Sequence, residues 1–313
     1  MTLIDPAALA ATVRRRARVS PELIVGGTIL GGIILASLLV TLFPPYPIGQ
    51  ISDDPFAGPS AAHLLGTDNL GRDTFTRLFT AAGTSLMIAA AATAISMVLG
   101  TTLGMLAAFR GGWVDAVIMR ACDVMMTIPA ILMALIVRVI IGPGILPLII
   151  AMAIIYTPTF AKIMRAPVLA MRGRDFVVAA QLSGVPAPLI AVRHLLPNAT
   201  TPLLVQAAVT ASEAVLLEAG LSYLGQGVQP PNPSVGMMIS EFQKYAQDDP
   251  LLILLPALLI VLMAAGWNLI ADGLQSTFAP RGHEKYAFLA PRSFLDRILS
   301  LFIPARRQLR EPS

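Results

Sequence analysis

The chain has 313 residues, of which 56% are hydrophobic and 13% charged, and its mean hydropathy is +0.74. A soluble domain carries about 25% charged residues, so a soluble globule is excluded and the excess apolar surface must face lipid. The net charge of +4 does not point to nucleic acid, because no basic stripe with interleaved aromatics occurs and membrane proteins gather Lys and Arg on their cytoplasmic side.

In chain order, the first apolar run is Leu23–Phe43, which carries no charge. It is longer than the apolar part of a signal peptide and no A-x-A site follows it, so a retained first span is expected. Ser85–Ala108 is a second span. Residues 121–141 form a third, apolar from Val124 except for Arg138. Cys122 is the single cysteine, which excludes an internal disulfide and predicts a small core residue. The fourth span is Ile145–Ala161, extending to about residue 163, with Pro147 and Pro158 inside. Thr201–Leu221 is less clear because it contains Glu213 and Glu218, and Leu251–Ala271 is the sixth, with Pro256 inside. Residues 1–80 thus hold the first span, 81–272 the other five, and 273–313 a tail.

Charge decides the doubtful span. With six spans and a cytoplasmic N-terminus, 18 of the 22 basic residues lie inside. They include Arg14–Arg18 before the first span and Arg281–Arg310 after the last. Without Thr201–Leu221 the basic C-terminus would lie outside, against the positive-inside rule. The expected architecture is therefore all-α, six transmembrane helices, both termini cytoplasmic.

Between spans four and five lies a basic island, residues 172–200. Asp175 is placed to cap a short helix, 175–182. Ser183-Gly184 would end it, with Gly184 free to take positive φ. Pro186 or Pro188 would open a second helix through His194 to Leu196, and Pro197 would then force a turn. Apolar faces on the water side of a membrane imply a partner.

This island resembles the "EAA" loop of inner-membrane permease subunits of ATP-binding-cassette (ABC) importers. Ala179 and Ala180 match its alanines, Gly184 its glycine, and His194, Leu196 and Pro197 its last positions; Val178 stands where Glu is usual. "HLLGTDNLGRD" (63–73), "EAGLSYLGQGVQPPNPSVGMMI" (218–239) and "WNLIADGLQSTFAPR" (267–281) resemble segments of the C-type subunit of dipeptide, oligopeptide and nickel permeases, with Ala279 in place of a usual Asp. The resemblance implies a type I ABC importer permease fold and a transport domain over 81–272. It further implies a second, related permease subunit in a heterodimer, two ATPase subunits gripping the islands, and an extracytoplasmic binding protein. Short peptides are the implied solutes, with nickel chelates, glutathione-like peptides and haem as alternatives.

No Walker A sequence occurs, so ATP and Mg are expected on the partner ATPases. This chain is expected to bind no cofactor and to be no enzyme. His63 and His194 read as hydrogen-bonding loop residues rather than metal ligands. Arg120 and Asp123, three apart, are expected to pair, with Arg138 about 22 Å further along the same helix. A charge at mid-bilayer costs about 2.5–3.5 kcal/mol, so Arg138, Glu213 and Glu218 are the candidates for the pathway or for a contact between subunits. Residues 291–304 have the spacing of an amphipathic surface helix. A gradient-driven transporter or channel is the rival reading; it predicts inverted repeats, which are not evident, and it leaves the island unexplained. An intramembrane enzyme is a third, without a catalytic pair to support it.

Overall fold

The computed structural model describes residues 20–278. The basic N-terminus, Ala279 and the amphipathic helix expected at 291–304 lie outside the described residues. Within them the chain is helical, with one isolated antiparallel bridge between Thr67 and Asp73. Five helices are long and apolar enough to cross a membrane, and a bent pair makes a sixth crossing if it is one span.

Helix α1, Pro21–Leu42, starts at Ser20, whose hydroxyl accepts from Leu23 N at 3.3 Å; Pro21 suits the first turn, where no N–H is needed. The same hydroxyl donates to Gly273 O at 3.2 Å, tying the start of α1 to the end of the last helix. A Cβ on Gly26 would fall 2.7 Å from Gly266 O, so these two helices touch backbone to backbone, as small residues allow in lipid.

Helix α2, Thr74–Arg110, begins at Asp73, which accepts from Thr76 N at 2.8 Å, and ends at Gly111 with φ +66°. Its 37 residues reach ~55 Å, well beyond a ~30 Å hydrocarbon layer. The sequence span 85–108 therefore covers only part of it. α2 packs most extensively on α5, Ile145–Met171. A Cβ on Gly104 would meet Ala161 O at 2.1 Å, so only glycine admits this approach.

The third span departs from the straight helix expected over 121–141. It is two helices, α3 (Gly112–Thr127) and α4 (Ala130–Ile141), bent by 99°. Pro129 is the cause: it lacks an N–H and disfavours the helical conformation before it, and Ile128 is extended at φ −86°, ψ 127°. Arg138 is thus not on one straight rod with Arg120. The expected Arg120–Asp123 pair does not form either. Asp123 binds Lys162 of α5 at 2.7 Å, because the packing of α3 on α5 brings that ammonium to it. Cys122 is buried.

The chain then forms α6 (Asp175–Leu182), α7 (Ala187–Ile190), a π-helical turn (Ala191–Leu195), α8 (Leu196–Tyr223), α9 (Val235–Phe242) and α10 (Pro250–Phe278). Two apolar cores result. One joins α1, α2, α4, α5, α8, α9 and α10 at the end away from the island. The other lies at the island end, where Phe160, Met164 and Val168 of α5 meet Val177, Ile190 and Leu195.

Candidate functional site

The island folds as a helix–glycine–helix. The expected Asp175 cap is absent: Arg174 is the N-cap, Asp175 is the first helical residue, and no side-chain cap bond forms. Asp175 still places negative charge in the first turn, where the helix dipole favours it. At the other end, Gly184 has φ +76°, with Gly184 N donating to Gln181 O and Val185 N to Ala180 O, at 3.0 and 3.1 Å. This is a Schellman stop, and the left-handed residue is glycine because a Cβ is disfavoured there. Ala180 and Val185, which the motif brings together, pack on the island-end core.

Pro186 accepts from Leu189 N and Ile190 N and so opens α7. Pro197 does not force the expected turn. It falls in the first turn of α8, and the helical path runs unbroken from Ala191 to Tyr223. The π-turn explains this: Leu196 N reaches back five residues to Ala191 O, and the widened turn accommodates the proline's missing donor.

Each short helix has two faces. Val177, Ile190 and Leu195 are fully buried against α5. Leu182 is 84% exposed and Val192 60%, with Phe176, Val178 and Leu189 also exposed. Ala179, Gly184 and Pro197 lie on the surface, and Ala180, His194 and Leu196 are half-buried. The His194 ring is 6.2 Å from Phe176. Arg172 donates to Ala108 O at 2.9 Å, satisfying a carbonyl of the last turn of α2. Arg165 grips Asp115 of α3 with two bonds of 2.6 Å. The island thus sits on a stitched base and presents an outer surface of exposed apolar side chains flanked by Arg174, Asp175, Gln181 and Arg193.

The intramembrane charges separate. Arg138 is 4% exposed and donates to Gly144 O and Gly227 O, both at 3.2 Å; it neither snorkels nor meets an anion among the described residues. Glu218 is fully buried, accepting from Ser222 Oγ at 2.6 Å, while that same oxygen accepts from Val228 N at 3.2 Å. Glu213 is exposed and lines a cavity of ≈ 320 Å³ with Met125, Met126, Met133, Tyr156 and Thr159.

A charged cluster at the far end was not foreseen from sequence. Asp68, with its side chain fully buried, accepts from Leu70 N, Arg72 N, Arg72 Nε and Arg77. Glu241 of α9 receives the same two arginines, at 3.2 and 2.8 Å. Nearby, His63 Nδ1 lies 2.9 Å from Asp73, and its ring stacks on Tyr46. Together they bind the loop before α2 to the helix before α10. The signal present was the acid–base repeat within "TDNLGRDTFTR", 67–77.

Residues 100–283 match the family described as binding-protein-dependent transport system inner membrane component. The chain belongs to that family. A dipeptide transport system permease protein of Alkalihalophilus pseudofirmus is 36% identical over 82% of this chain and 85% of its own. A di/tripeptide transport system permease protein of Pseudomonas aeruginosa is 37% identical over 80% and 88%. A glutathione transport system permease protein of Pectobacterium atrosepticum is 36% identical over 72% and 74%. Among solved structures, an inward-facing MetNI methionine ABC transporter chain matches with a TM-score of 0.50 at 17% identity, covering 62% of this chain and 93% of that one; this likeness concerns the fold. The chain is a multi-pass permease subunit of an ABC importer, with the helical fold of that class.

Proposed function

We propose that this subunit forms half of a pathway for short peptides and couples it to ATP hydrolysis in partner subunits. The observation that carries the coupling assignment is the island: two short helices fixed by a glycine turn, buried on one face and exposing Phe176, Val178, Leu182, Leu189 and Val192 on the other. An exposed apolar patch of this kind is a docking surface. Its partner is an ATPase subunit, which binds ATP and Mg; a second ATPase grips the island of a second permease. An outside binding protein delivers the solute. The island end and both termini face the cytoplasm, a reading supported by the charge distribution. ATP binding draws the two islands together, and the helices pass from inward- to outward-facing. Peptide substrates are supported by the names of the relatives.

The test is reconstitution of the chain with its partner permease, ATPases and binding protein in vesicles. Hydrolysis should rise with peptide-loaded binding protein, uptake should follow, and the chain alone should hydrolyse nothing. In the same vesicles, Ser183→Cys should label from the cytoplasmic side and Asn232→Cys from the other. Hydrolysis by the isolated chain, or labelling on the reverse sides, would overturn the assignment.

A further inference from the structure

Glu213 sits on α8 ten residues before that helix ends at Tyr223. That is ~15 Å from the end, and so near the middle of a ~30 Å hydrocarbon layer. A carboxylate facing lipid at that depth is costly. Glu218, on the same helix, escapes this by burial against Ser222. Glu213 does not: it is exposed, and no described residue bonds or pairs with it.

What faces Glu213 is distinctive. The cavity it lines is also lined by Thr127, Ile128 and Pro129, the break in the third span. Helix α3 ends there, and a helix C-terminus carries partial negative charge from its carbonyls. Broken helices whose ends point into a midplane cavity form cation sites in other transport folds. Three methionines, Met125, Met126 and Met133, share the rest of the wall with Ala130, Ile155, Tyr156 and Thr159. Methionine side chains are flexible and polarisable, and they accommodate varied shapes.

We propose that this cavity is a cation subsite on the translocation face, taking the α-ammonium group of a peptide in transit; it rests on the peptide reading above. The ammonium is the group that unblocked peptides share. Glu213 and the end of α3 attract it, while the methionine wall yields to side chains that differ from one peptide to the next. One charged point and one soft wall are what a carrier tolerant of sequence requires. The competing occupant is a lysine or arginine of the second permease subunit.

The test uses the assembled complex with Cys122→Ala and Met126→Cys. The introduced thiol is labelled with an ammonium-bearing methanethiosulfonate and, separately, with the uncharged methyl reagent. Glu213→Gln should lower the ratio of the two rates about tenfold, since only the cation feels the carboxylate. In vesicles Glu213→Gln should reduce peptide uptake about tenfold or more, and Glu213→Asp should restore most of it. An unchanged labelling ratio or unchanged uptake overturns the inference. So does loss of the second permease on purification of Glu213→Gln, which would make Glu213 a bond between subunits. A wild-type complex that imports no peptide overturns the substrate reading instead, and leaves labelling to decide the subsite.

Discussion

The two ends of the molecule that project from the spans are built in opposite ways. At the far end, Asp68, Arg72, Arg77 and Glu241 close on one another, and Arg77 also lies over the Phe242 ring at 5.9 Å. Those charges are consumed internally and join the loop before α2 to α9 as one plate. At the island end Arg165–Asp115 and Arg172–Ala108 O tie down the base, and large apolar side chains such as Leu182 and Val192 are left exposed on the short helices. A surface that satisfies itself holds a shape; a surface left apolar awaits another protein. The difference separates residues that stabilise the subunit from residues that connect it.

Substitutions should respect that division. The largest effect is expected at the plate. Asp68→Ala strips two arginines and two backbone N–H groups of a shared, fully buried carboxylate. Breaking a buried charge pair from one side costs about 3–5 kcal/mol. The thermal midpoint of the solubilised complex and the abundance of the chain should both fall. An unchanged midpoint would show the plate to be ornamental and collapse the contrast. The smallest effect is expected at Val178, which is 40% exposed on α6. Val178→Glu places the residue usual in related loops on an open surface, where substitutions change stability by less than about 0.5 kcal/mol. Uptake and ATPase association should be retained, and loss of either would mean that the partner surface requires an apolar residue there.

Sequence showed the island end more fully than the plate, for physical reasons. The Gly184 stop and Pro186 start are local: a few neighbouring residues determine them, and the spacing displays them. The spans were legible because length and apolarity suffice. What joins distant segments was not. Asp68 and Glu241 are 173 positions apart, and only the fold shows that they share two arginines. The same holds for Lys162–Asp123 and for the carbonyl seat of Arg138. Pro129 stood in the sequence, inside a run read as one apolar span, and its effect was not anticipated. A proline in a membrane helix is either tolerated or breaks it, and neighbouring helices decide which. Pro197 misled in the opposite direction, since a π-turn absorbed it.

The coupling role of the island is tested most directly at Gly184. Its φ of +76° strains any side chain, yet nothing lies within 4 Å of an added Cβ, so the strain stays in the turn between α6 and α7. A β-branched residue there costs more than about 1 kcal/mol and should swing the outer face without touching the spans. Purified Gly184→Val complex should be measured for thermal midpoint and for co-purifying ATPase together. The expected result is a near-parental midpoint with the ATPase lost and uptake abolished. Normal ATPase retention with normal uptake, or a loss of ATPase explained by collapse of the midpoint, would contradict the assignment of this loop as the link to ATP hydrolysis.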